Sequence, residues 1–174
     1  MIALAVNTQL LIGRLAGFAE TLPAVVARVP DADARWRPQQ GAWSILEIVG
    51  HLADEETDDF RMRTELTLRD PELPWPPIDP EGAAVERRYN EADLGRTVSR
   101  FVRVRSESIT WLNQLRDPDW SRTHRHKLGD IRAGDVLAAW VAHDALHLRQ
   151  IAKRLFQLTQ RDAGVYSTAY AGRW

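Results

Sequence analysis

The apolar residues of this chain recur at steps of three, four and seven over long stretches, and nowhere do they alternate long enough to line a strand. In the first stretch Leu4, Leu11, Leu15, Phe18, Leu22, Val25 and Val29 fall on one face of a helix spanning about residues 2 to 28. The same stretch raises the question of a signal peptide or membrane span. No Lys or Arg precedes Arg14, so the charged start of a signal peptide is missing. Arg14, Glu20 and Arg28 also interrupt any run of ~18 apolar residues. A core helix, in a cytoplasmic protein that touches no membrane, is the expectation.

A second helix, about 45 to 69, opens at Trp43-Ser44-Ile45-Leu46-Glu47-Ile48. There Ser44 and Glu47 can exchange side-chain and backbone hydrogen bonds, and Trp43 and Ile48 occupy the positions of a hydrophobic staple. Residues 70 to 89 hold five of the nine prolines and read as a connection long enough to cross the end of a bundle. Asn90 with Asp93 opens a third helix, about 91 to 116, whose stripe is Leu94, Val98, Phe101, Ile109, Leu112 and Leu115. A polar loop with Trp120, His124 and His126 follows. The fourth helix, about 133 to 158, turns Val136, Trp140, His143, His147, Ile151 and Leu155 inward. The expected fold is all-α: a single-domain four-helix bundle over residues 1–174, with long connections and a C-terminal tail from Arg161. Tyr166, Tyr170 and Trp174 make that tail aromatic enough to pack on the bundle or on a second subunit.

Composition narrows the chemistry. With 23 Lys plus Arg against 24 Asp plus Glu the net charge is -1, which supplies no field for a nucleic-acid backbone. There is no cysteine, which removes disulfides, thiolate metal sites and thiol nucleophiles together. Any metal must be held by His, Asp or Glu.

His143 and His147 lie four apart on the apolar face of the fourth helix, so their imidazoles stack one turn apart and can share one cation. Neutral imidazoles tolerate burial only with their nitrogens satisfied, and a shared metal does this. His51, on the inward stripe Ile48, His51, Glu55 and Met62 of the second helix, is the candidate third ligand. His124 and His126 compete for that place, but Arg122, Arg125 and Lys127 surround them. The segment HDALH differs from the HExxH helix of zinc proteases, because Asp144 stands where a Glu base is needed.

The segments WSILEIVGHLADEE and AAWVAHDALHLRQI, the Pro-rich second connection and the LGD element before the last helix together resemble the DinB/YfiT-like family across nearly the whole chain. The resemblance implies an up-down-down-up bundle, often dimeric, holding a divalent metal on His51, His143 and His147, with Gln150 as the Gln after the HxxxH pair. Arg132 departs from the Ser or Thr with which relatives often cap the fourth helix. The activities implied are metal-dependent S-transferases and isomerases using low-molecular-weight thiols, and hydrolases.

Glu55, one turn after His51, is a candidate ligand-orienting group or base. Arg105, seven residues from both Val98 and Leu112, faces inward, where it can grip the carboxylate of a substrate or thiol cofactor. Trp140 is a candidate wall of the substrate pocket. The leading expectation is a thiol S-transferase acting on a small-molecule substrate through one divalent transition metal: zinc or nickel, or else iron or manganese. A hydrolase using metal-activated water is the alternative enzyme. A non-catalytic, metal-stabilised stress-related bundle is the alternative outside enzymes.

Overall fold

The computed structural model describes residues 7–127 and 129–174. Four long helices make the bundle: Thr8–Val26, a second running through Ile45–Glu55, Glu56–Phe60 and Arg61–Arg69, a third at Leu94–Gln114 and a fourth at Ala133–Asp162. Contacts fix their directions. Phe18 meets Phe101 and Leu15 meets Arg105, so the third helix runs against the first. Asp54 pairs with Arg100 and Glu56 with Arg105, so the second and third run parallel. His51 lies beside His147 and Phe60 beside Trp140, so the fourth runs against the second. The order is therefore up-down-down-up, and the crossover between the parallel second and third helices has to travel back along the bundle.

Two apolar clusters fill the interior. One gathers Leu22, Ile45, Ile48, Phe101 and Ile151, and the other Ile12, Phe60, Leu112, Leu137 and Trp140. Between them lies a polar layer.

The second helix starts as its sequence demands: Ser44 Oγ accepts from the Glu47 N–H at 3.1 Å and Glu47 Oε2 from the Ser44 N–H at 2.8 Å. Its course departs from the expectation at Glu56–Phe60, a π turn. The extra residue rotates the stripe beyond it, so Thr64 and Thr67 are buried and Met62 is only half-buried.

Other expectations need correction. Asn7 caps Thr8–Val26 through Leu10 N–H at 3.0 Å, and the helix ends at Val26 rather than 28, while residues 2–6 of the expected span lie outside the described residues. Leu4 and Leu128 lie outside the described residues. By length and composition Thr8–Val26 would suffice to cross a membrane, but its apolar stripe, with Ile12, Leu15, Phe18, Leu22 and Val26 buried, is committed to the core. The Pro-rich crossover is not featureless: Asp79 caps a short helix, Pro80–Glu86, with Pro80 in its first turn. Asp93 caps the third helix, whereas Asn90 ties the crossover to the second helix by accepting from Ser44 Oγ at 2.6 Å. The loop around His124 is a hairpin, Thr123–His126 paired with Gly129–Arg132, too short to show alternation. His124 is buried there, stacked on Trp75 at 4.4 Å with Nδ1 2.8 Å from the Pro71 carbonyl, rather than solvated.

Arg132 cannot accept a hydrogen bond, so the fourth helix begins differently from a Ser-capped one. The Ala133 and Gly134 N–H groups donate to the carbonyls of Arg122 and Trp120, and Asp135 accepts from the Arg132 N–H. At the other end this helix continues to Asp162. Of the tail aromatics only Trp174 meets the bundle, 5.8 Å from Phe156, while Tyr166 and Tyr170 are exposed.

Candidate metal centre

The second and fourth helices face each other where His51, His143 and His147 converge. His51 Nε2 lies 3.3 Å from His143 Nε2, which lies 2.9 Å from His147 Nε2. One outer nitrogen is engaged: His147 Nδ1 is 2.8 Å from Gln150 Oε1, an acceptor that holds the proton on Nδ1, while His51 Nδ1 only faces Glu55 Oε1 at 3.6 Å. The Nε2 lone pair of His147 therefore points toward His143 Nε2, and a cation shared among the three nitrogens accommodates their close approach. Two nitrogens at 2.0–2.1 Å from one ion are about 2.9 Å apart at a right angle and about 3.3 Å apart at a tetrahedral angle. Both observed spacings match, so the donor set fits a divalent ion.

Electrostatics agree. Burial, reinforced by the neighbouring imidazoles, pushes His51 and His143 down to about 3, and burial lowers His147 as well. All three are therefore neutral, ligand-ready imidazoles at neutral pH. Burial, helped by the adjoining Asp59, pushes the Glu55 carboxyl up to about 8.

The run of acids 54 to 56 separates by helix geometry, each residue turning about 100° from the last. Asp54 reaches Arg87, Arg100 and the Tyr89 hydroxyl and so pins the crossover. Glu55 looks into the cleft beside the histidines. Glu56 enters the core, where it accepts from Arg105 Nε at 2.6 Å and Trp140 Nε1 at 2.8 Å. The fold buries Glu55 together with its neighbours Asp54 and Glu56.

Two expected substrate contacts are corrected. Arg105 is 1% exposed, and its donors go to Glu56, to the Leu15 carbonyl at 3.1 Å and to both oxygens of Asp144 at 2.7 Å. Held by these partners and closed off from solvent, it does not reach a substrate in the cleft. Its inward position was legible in the helical spacing, but the two carboxylates awaiting it were not. Trp140, also 1% exposed, stacks on Phe60 and serves the core rather than the cleft. Asp144 is turned away from the histidines by its bond to Arg105.

Over the histidines opens a cleft of about 900 Å³ walled by Trp43, Asp59, Phe60, Arg154 and the crossover residues Ile78 and Pro80. Sequence reasoning missed Asp59, although its i+4 spacing from Glu55 was available, and missed the crossover wall, which no local pattern announces.

A family model described as the DinB superfamily matches residues 14–151, more than three quarters of the chain. The chain belongs to the DinB superfamily. The match takes in His51, His143, His147 and Gln150. Among solved structures, this DinB-superfamily chain is similar to YfiT from Bacillus subtilis, a probable metal-dependent hydrolase with an unusual four-helix bundle topology. The TM-score is 0.78 at 19% identity, over 94% of this chain and 92% of that one. This likeness establishes the bundle fold. No curated protein matches the sequence.

Proposed function

We propose that this chain is a divalent-metal-dependent enzyme that joins a low-molecular-weight thiol from solution to a small electrophile. The observation that carries the metal is the convergence of three Nε2 atoms at 2.9 and 3.3 Å, with Gln150 fixing the outer nitrogen of His147.

A divalent ion held by three imidazoles, when bound, keeps positions open and lowers the pKa of a thiol or water that reaches it. The chain's own groups do the rest. Gln150 holds the ring of His147 in register, and Glu55 faces that of His51. Glu55, paired with Asp59 at the cleft wall, exchanges the nucleophile's proton. Trp43, 4.9 Å from His51, and Phe60, 4.9 Å from His143, exclude water from the ligand side. The thiol reading is supported by a cleft large enough for two organic reactants side by side; with no cysteine in the chain, the thiol comes from solution. Hydrolysis is the second reading, favoured by the likeness to YfiT.

The test begins with metal analysis of untagged protein. Wild type should carry about one ion per chain, and a His143→Ala, His147→Ala variant none; equal contents in the two would sink the proposal. Loaded protein is then given low-molecular-weight thiols and a chromogenic electrophile. Thiol-dependent turnover that Glu55→Gln lowers about 10²-fold without loss of metal is expected. Turnover indifferent to thiol would replace transfer with hydrolysis.

A further inference from the structure

Two arginines are buried among the described residues, and they are treated oppositely. Arg105 is neutralised by two carboxylates, as a buried guanidinium requires. Arg154, 7% exposed, has none: Nε donates to the Trp43 carbonyl at 2.6 Å and Nη1 to Gln157 Oε1 at 2.6 Å, both neutral acceptors. Arg154 lines the cleft over the histidines and also a second cavity of about 730 Å³ that shares His147 and Gln150 with it. The second cavity adds Arg149 and Lys153, both exposed and free of ion pairs, together with Gln39 and Gln157, and no carboxylate side chain lines it. At the other end of the joined space stand Glu55, Asp59 and Glu81. Charge is thus concentrated at one end: Glu55 is pushed up to about 8 by burial and Asp59 is paired with Arg63 at 2.7 Å, whereas cationic side chains gather along the C-terminal half of the fourth helix.

We propose that the cationic end is a subsite for an oxyanion on the substrate or co-substrate, with Arg154 as the charge-assisted donor and Arg149 and Lys153 as flanking charges. The assignment rests on the preceding functional reading only for what sits at the other end of the ligand. Along a helix, seven residues from His147 to Arg154 advance about 10 Å, so the ligand is a small organic acid or ester whose anionic group lies several bonds from its reacting atom. Binding of the anion supplies the counter-charge that Arg154 lacks and orients the reacting end toward the histidines. Carboxylate and phosphate share this chemistry, and the experiment separates them.

The Arg Nε–H resonances of ¹⁵N-labelled zinc-loaded protein are followed while succinate, inorganic phosphate or sodium chloride is added at matched ionic strength. A saturable shift at Arg154 with succinate or phosphate but not chloride is expected, the tighter of the two naming the class. Arg149→Gln with Lys153→Gln, both exposed and so harmless to folding, should load zinc like wild type yet bind the anion about tenfold more weakly. Shifts that follow ionic strength alone, or affinity unchanged in the double variant, would overturn the subsite. The same titration on His143→Ala, His147→Ala protein keeps the two proposals apart. Anion binding is expected to survive in this zinc-free variant; wild type that binds the anion but loads no more zinc than the variant condemns only the metal reading, while zinc loading in wild type without saturable anion binding condemns only this one.

Discussion

Replacing Arg105 with methionine separates a structural role for this residue from a substrate-gripping one. The substitution keeps most of the side-chain volume and removes a guanidinium that makes four hydrogen bonds at 2.6 to 3.1 Å, leaving Glu56 and Asp144 buried without a counter-ion. Breaking a buried pair from one side costs about 3–5 kcal/mol. An independent bound agrees: a carboxyl can escape by staying protonated, which at pH 7 lies about three units above its ordinary pKa and costs about 4 kcal/mol. Against a total stability of roughly 5–15 kcal/mol this is a large fraction. The escape also fixes the pH dependence. Burial raises the Glu56 and Asp144 carboxyls even beside Arg105, and removing the guanidinium raises them further, so the variant's fold holds protons over a wider pH range than the wild type's and loses more stability as pH rises. The deficit relative to wild type should therefore shrink on going from pH 7 toward 5, by up to about 1.4 kcal/mol per unit for each carboxyl. Urea unfolding followed by tryptophan fluorescence at several pH values measures both quantities. A variant within 1 kcal/mol of wild type at pH 7 (about one pKa unit), or a deficit that grows on acidification, would refute the assignment of Arg105 to the core.

Two further outcomes follow from the same geometry. In metal-free protein His51 and His143, held at about 3, should withdraw stability as pH falls from 6.5 toward 3, because unfolding releases them to take up protons. Each contributes about 1.4 kcal/mol per unit, with His147 adding to them and the raised carboxyls of Glu55, Glu56, Asp59 and Asp144 opposing. Imidazole NMR shifts read the histidines directly, and His51 or His143 titrating near 6.5 in the metal-free protein would contradict this. Gly50→Ala should lower the melting temperature, since a Cβ there would lie 2.8 Å from the Tyr89 ring, whose hydroxyl is anchored on Asp54 and cannot swing away. Overpacking of about 1–3 kcal/mol outweighs the gain in helix propensity of about 1 kcal/mol, and a variant as stable as wild type would show that the crossover yields.

Periodicity, capping and spacing act over a few residues, and what they govern was legible from the chain alone. The four helices, the Ser44–Glu47 start and the His143–His147 pair are of this kind, as each depends only on residues three or four apart. The third histidine was reached by the inward phase of Ile48 and His51 on the same helix. The π turn at Glu56–Phe60 was not legible, because no residue within it demands an extra position; its consequences are Glu56 in the core and Asp59 at the cleft.

Side chains whose meaning depends on a distant partner changed most between sequence and fold. An inward arginine reads the same whether substrate or protein carboxylates await it, and only packing the second, third and fourth helices together showed that Arg105 is neutralised from within while Arg154 is not. Local sequence set the helices and the faces they bury, since those energies are summed over neighbouring residues. The ion pairs, the pKa of Glu55 and the shape of the cleft were decided by tertiary structure, because charge and desolvation depend on which groups, far apart in the chain, the fold brings within a few ångströms.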